Sequence, residues 1–154
     1  CVRGKPDCAR CPLAAKCVAL SEGRQAELPT PRLRKVLPER EIHVLLLTDG
    51  DSVLMEKRPA VGIWGGLLSL PERAWALAET FATSQGCRLG ACGMLEPLRH
   101  QFTHFALTIR VLRCEVQRLG QVAEPDQWVW LSLSDIERAA LPAPIRTLLA
   151  TQNR

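Results

Sequence analysis

Residues 58–72 read RPAVGIWGGLLSLPE. Within it, in GIWGGLLSLP (62–71), three glycines and a proline bracket a short apolar strand. Upstream, EIHVLLL (41–47) and SVLMEKR (52–58) flank TDGD. Asp49-Gly50 is a turn signal, so these two apolar runs are expected to form a hairpin. Downstream, ERAWALAETFATSQG (72–86) carries Trp75, Ala78 and Ala82 at helical spacing, with Pro71 just before the start and Gly86 placed to end it.

Later in the chain, HFALTIRVLRCEV (104–116) alternates Phe105, Leu107, Ile109 and Val111 with Ala106, Thr108 and Arg110, the period of a strand. WVWLSL (128–133) is another strand. Ser134 with Glu137 predicts a capping box for a short helix, and Pro144 stands near the start of a last one, PIRTLLATQ (144–152). Strands running ahead of and between a few helices give an α+β domain with a mixed sheet. With 154 residues, 47% of them hydrophobic, the chain can bury the core of one domain plus a small appendage. No apolar run approaches the roughly 18 residues of a membrane span, so no membrane partner is expected, and the chain reads as a monomer.

The first residue is Cys1 rather than Met, and the opening CVRGKPDCARCPLAAKC places Cys1, Cys8, Cys11 and Cys17 at the spacing C-x6-C-x2-C-x5-C. This start points to a piece of a longer protein. Of seven cysteines the other three, Cys87, Cys92 and Cys114, stand singly in apolar or strand-like sequence and read as packing residues, a pattern that suits a reducing compartment. Four thiols in a loop broken by Gly4, Pro6 and Pro12 then call for a metal, because the loop has too little apolar content to order itself. Zinc and an iron–sulfur cube both accept four thiolates, and disulfides or free thiols are the remaining reading. Structural zinc sites usually pair two C-x2-C knuckles, whereas a single knuckle with long gaps on either side favours one loop wrapped around a bulkier cluster.

Net charge is +4, unevenly placed: residues 1–40 hold nine Lys/Arg against four Asp/Glu, and residues 41–154 hold eleven against twelve. The surplus sits entirely in the first quarter, where it suits a polyanion partner or, on charge alone, equally an ordinary solvated face. Residues 21–40, SEGRQAELPTPRLRKVLPER, have three prolines and no periodicity, and form a semi-stiff linker between an N-terminal loop (1–20) and the domain (41–154).

Three resemblances attach to these residues. The cysteine spacing resembles the cluster loop of the endonuclease III and MutY family of base-excision DNA glycosylases, which implies a [4Fe-4S] cluster on Cys1, Cys8, Cys11 and Cys17. In that family the loop touches the DNA backbone, so Arg3, Lys5, Arg10 and Lys16 are implied phosphate contacts. The stretch GIWGGLLSLPE is similar to the Nudix box: Gly, five residues, Glu, seven residues, Arg-Glu, an aliphatic, any residue, Glu-Glu, any residue, Gly. Gly66 and Glu72 meet the first spacing, but the carboxylate positions that follow fall on Phe81, Ser84 and Gln85. Magnesium needs anionic oxygens, so the fold is expected without the pyrophosphatase, and Glu72 reads as an acid favoured by a helix N-terminus.

Cluster loop, linker and Nudix-like domain in this order resemble the C-terminal part of the MutY family of adenine DNA glycosylases, which remove adenine mispaired with 8-oxoguanine. That family's Phe-Ser-His loop falls on Phe102, Thr103 and His104 within RHQFTHFAL. The resemblance implies that these three read 8-oxoguanine in duplex DNA, with Thr keeping the hydroxyl but restricting χ1. It also implies a cytoplasmic, nucleoid-associated repair enzyme whose Leu-Pro-Gly turn and catalytic carboxylate lie upstream of Cys1, since no such turn occurs here. Trp64, Trp128 and Trp130 read as packing residues. The rival readings are a nucleotide pyrophosphatase and a zinc-bound interaction module.

Overall fold

The run at 44–48 lacks polar alternation because both of its faces are covered. In the computed structural model, which describes residues 6–28, 36–120 and 127–152, these five residues are all buried. They lie in the central strand β1 (Glu39–Asp49), which turns through Gly50 at φ 55° into the antiparallel β2 (Ser52–Lys57). On its other side β1 pairs in parallel with the longest strand, β6 (Ala106–Arg118), from Glu39↔Ala106 to Thr48↔Glu115. β3 (Leu68–Ser69) and β7 (Trp128–Ser132) add to β2; β4 (Cys87–Met94) and β5 (Leu98–Gln101) add to β6. The sheet is thus mixed, as the sequence predicts.

Side-chain alternation sends Val44, Leu46, Val53, Met55, Leu107, Ile109 and Val111 to one face, where Ile145, Leu148 and Leu149 of α3 (Ala143–Gln152) cover them. Leu45, Leu47, Leu54 and Cys114 point to the opposite face, against Ala78, Phe81 and Ala82 of α2 (Ala78–Ser84). A helix on each side of one sheet is the flanked arrangement expected. Among the described residues no helix is long and apolar enough to cross a membrane.

Local expectations are corrected in four places. The helix predicted from residue 72 begins at Ala78, after a 3-10 turn at Trp75–Leu77, because the chain first continues β3 alongside β1: Leu45 N donates to Pro71 O at 2.9 Å and Arg73 N to His43 O at 3.1 Å. Glu72 therefore sits in a bridge opposite Val44 rather than at a helix N-terminus. The capping box at Ser134 is absent; the cap is Ser132, whose hydroxyl accepts from Ser134 N, and the element is a 3-10 turn at Leu133–Asp135. Cys92 and Cys114 do not stand singly: antiparallel register sets them opposite one another on β4 and β6, and they form a disulfide. Inference to a reducing compartment then rests on the N-terminal thiols alone. Cys87 is buried as expected, and burial pushes its thiol pKa up, with Asp49 adding to the effect.

The loop joining β2 to β3 is held by Arg58 N to Leu67 O at 2.9 Å and Gly66 N to Pro59 O at 3.0 Å. A Cβ on Gly65 would lie 2.3 Å from the Ala60 carbonyl oxygen, so this glycine is required by close backbone approach. Gly65→Ala is expected to lower unfolding free energy by about 1–3 kcal/mol, since backbone must move to admit the methyl group; unchanged urea denaturation would contradict that reading.

Chain contacts divide the protein into two units, Cys1–Val36 and Leu37–Arg154. The described part of the first, residues 6–28, consists of 3-10 turns at Cys8–Arg10 and Ala14–Lys16 and a single helical turn, α1 (Val18–Ser21). None of its residues is buried.

Candidate nucleic-acid interface

Gln101 ends β5 and Ala106 begins β6, so the chain must reverse within four residues. Phe102 N donates to Phe105 O at 2.9 Å and closes the turn. Thr103 and His104 lie at its tip and are exposed. The flanking phenylalanines face inward: their rings stack at 4.6 Å, and both pack against the core on the α3 side of the sheet. Phe102 also receives the edge of His100 at 4.6 Å, and the Arg40 guanidinium lies 4.7 Å over Phe105. Phe102 is therefore a root of the turn, and the two side chains free to meet a ligand are Thr103 and His104.

Trp64 reaches this cluster from the β2–β3 loop, its ring 6.0 Å from Phe102 and 6.2 Å from His100. Its backbone has φ 58°, a left-handed conformation that costs a non-glycine residue about 1–3 kcal/mol. Composition and period give no hint of this, since Trp64 reads as an ordinary packing residue. The signal available is its place before Gly65-Gly66 in a loop too tight for regular structure.

Beside the loop lies a cavity of about 440 Å³ bounded by Arg40, Ile42, Arg58, Trp64 and Leu107, with Glu41 and Glu72 on its wall. Both carboxylates are engaged by arginine. Glu72 Oε2 is 3.1 Å from Arg58 Nη1, and Glu41 Oε2 is 2.8 Å from Arg110 Nε. The Arg110 hydrogen bond, with help from His43, holds the Glu41 carboxyl below its ordinary pKa.

The carboxylate positions that the Nudix resemblance implies, Phe81, Ser84 and Gln85, fall on α2 and just past its end. Phe81, at a carboxylate position, is 8% exposed. Its ring sits 5.1 Å from Trp128, and the Arg73 guanidinium lies 5.3 Å from Phe81 and 5.5 Å from Trp128. Ser84, at a second position, donates to the Phe81 carbonyl at 2.7 Å, and Gln85 lies past the last helical residue. The aromatic pair and the cation around Phe81 offer a divalent ion no anionic oxygen.

In the N-terminal unit, Cys8, Cys11 and Cys17 are half-buried free thiols; Cys1, Arg3 and Lys5 lie outside the described residues. Backbone bonds from Cys11 N to Cys8 O (3.3 Å) and Cys17 N to Ala14 O (3.2 Å) shape consecutive turns. Among the described residues no three His, Cys, Asp or Glu side chains converge into a metal-holding group. Four thiolates are the right donor set for zinc or a cube, and the described residues 6–28, none of them buried, supply no core of their own. Arg10 makes a 3.9 Å ion pair with Asp7, and both side chains are more than half exposed. Such a pair contributes at most about 1 kcal/mol and leaves the guanidinium available. Lys16 is exposed in the last turn before Cys17.

Two curated relatives, both named adenine DNA glycosylase, come from strains of Buchnera aphidicola: subsp. Acyrthosiphon pisum (strain APS), 22% identical over 151 residues, and subsp. Baizongia pistaciae (strain Bp), 20% identical over 152. Each match takes in 97% of this chain and 43% of the relative, so the chain spans less than half the length of these proteins. Among solved structures, the C-terminal domain of mouse MUTYH in its complex with human PCNA superposes with a TM-score of 0.56 at 18% identity, covering 73% of this chain and 86% of that one. The MutT protein of Methanosarcina mazei Go1 gives 0.54 at 15% identity, covering 79% and 97%. Residues 43–151 match the family model described as the NUDIX domain, and the chain belongs to that family.

Proposed function

We propose that this chain is the lesion-reading, cluster-bearing part of an adenine DNA glycosylase that acts on duplex DNA carrying adenine opposite 8-oxoguanine. The observation that carries the reading is the turn at 102–105, which exposes one hydroxyl and one imidazole on a root of buried aromatic contacts. The chemistry is a matter of donor and acceptor. Guanine presents a bare N7 acceptor, whereas 8-oxoguanine carries a hydrogen on N7 and an oxygen at C8. The Thr103 hydroxyl accepts from that N7–H, and a backbone N–H of the turn donates to O8. A hydroxyl alone rotates and would donate equally well to guanine, so the second group fixes the discrimination. His104 donates to a nearby phosphate or braces the loop.

Thr103→Val, nearly the same in shape, removes the acceptor. Preference for 8-oxoguanine over guanine opposite adenine is expected to fall by about 1–3 kcal/mol. Binding titrations with the two duplexes measure it, and an unaltered ratio would exclude the role.

In this reading Cys1, Cys8, Cys11 and Cys17 hold a [4Fe-4S] cluster, which when bound supplies a rigid four-thiolate cross-link. Arg3, Lys5, Arg10 and Lys16 contact phosphates from the stiffened loop, because donors already ordered lose less entropy on binding. In this reading hydrolysis of the N-glycosyl bond is the work of residues outside this chain, and no residue here is assigned to it. The proposed setting is the bacterial cytoplasm, where such a protein meets the nucleoid.

A further inference from the structure

We propose that Trp64 is a positioning residue for Thr103, an assignment that rests on the lesion-reading role of the 102–105 turn. The turn is short and its tip residues, Thr103 and His104, are exposed, so its orientation is set by what grips Phe102 and Phe105. From below, the grip is β5 and β6 themselves. From the side it is Trp64, which arrives on a different loop and meets both Phe102 (6.0 Å) and His100 (6.2 Å). His100 in turn puts its edge on Phe102 at 4.6 Å, so the three rings form a closed set around the residue next to Thr103.

The backbone at Trp64 identifies the side chain as the reason for the arrangement. At φ 58° a glycine would sit without strain, and Gly66 two residues on does so at φ 75°. An indole at the strained position delivers a wide apolar face to a fixed place. Its loop cannot drift, because Gly66 N is bonded to Pro59 O, Leu67 N to Trp64 O at 3.1 Å, and Gly65 has no room against Ala60. Strain held by surrounding structure in this way points to a function for the strained residue. Here that function is to hold Phe102, and through it the Thr103 hydroxyl, at the angle that distinguishes N7–H from a bare N7.

The test uses the natural full-length protein loaded with iron and sulfide, titrated with duplexes carrying 8-oxoguanine or guanine opposite adenine. Trp64→Ala is expected to lower the ratio of the two affinities about tenfold while leaving affinity for the guanine duplex within about twofold. Trp64→Phe, which restores a ring, is expected to recover most of the ratio, a rescue that a purely structural role would not separate from stability. In a Thr103→Val background Trp64→Ala is expected to change the ratio no further, because both act on one interaction. A full ratio in Trp64→Ala, or equal weakening toward both duplexes, would overturn the assignment. Should that variant fail to fold, Trp64→Leu is read on the same scale, and a full ratio there has the same force. If Thr103→Val itself leaves the ratio intact, the lesion-reading role falls and takes this inference with it. If Thr103→Val lowers the ratio and Trp64→Ala does not, only the inference falls.

Discussion

Replacing Cys11 with alanine is expected to release iron and sulfide, open the N-terminal unit to protease, and remove most of its contribution to DNA binding. Residues 6–28 have no buried side chain. What holds them is a chain of single-turn hydrogen bonds and three exposed ion pairs, Arg10–Asp7, Arg24–Glu22 and Arg24–Glu27. Each such pair contributes at most about 1 kcal/mol, whereas ordering the backbone costs about 1–2 kcal/mol per residue. In the proposed reading a metal held by the N-terminal thiols makes up the difference, because in small thiolate domains its binding is itself folding free energy. Four phosphate contacts give log K a slope of about −3.6 against log salt, a loss of about 150-fold between 50 and 200 mM. Cys11→Ala should flatten that portion of the slope, and Arg3→Ala with Lys5→Ala should remove about half of it. Metal analysis of anaerobically purified protein comes first: colourless, zinc-loaded protein would favour the interaction-module reading, and a Cys11→Ala protein with its full salt slope would refute the phosphate-binding role.

Phe81→Ala is expected to destabilise the NUDIX domain by about 3–5 kcal/mol. Its ring is 8% exposed, packs against Trp128 and lies under Arg73. Truncation leaves a cavity and also uncovers a cation whose nearest acid, Glu56 Oε2, is 3.7 Å from Arg73 Nη1 and otherwise without a partner. A fall of roughly 10–20 °C in the unfolding midpoint would follow for a domain of this size. The result bears on function, because the family's metal-ligand position would then be shown to hold up the fold. A variant that keeps its midpoint would mean the site is open enough to reconsider hydrolysis, and phosphate release from 8-oxo-dGTP with magnesium would be the assay.

Sequence by itself determined the elements whose side chains see one environment along their length. The alternation of Leu107, Ile109 and Val111, the unbroken run at 44–48, the turn at Gly50 and the final helix all follow from period and turn chemistry, because burial on a pleated strand or a helix face repeats at a fixed spacing. The missing carboxylates were equally plain, since Phe81, Ser84 and Gln85 lack the charge whatever the fold. β4 left no such trace: after Cys87 only Leu89 is even half-buried, so no period is imposed on it.

What only the tertiary structure decided was proximity across the sheet. Glu72 was legible as an acid but not as a bridge to Val44 paired with Arg58, because that depends on β3 continuing beside β1. Cys92 and Cys114 are 22 residues apart, and only antiparallel register makes them neighbours. Trp64 lies 38 residues before Phe102, and nothing local ties them; they meet because the β2–β3 loop and the β5–β6 turn pack against the same face of one sheet. Local chemistry is written in neighbouring residues, whereas long-range pairing is a property of how strands are ordered, and that order is settled by the packing of the whole core.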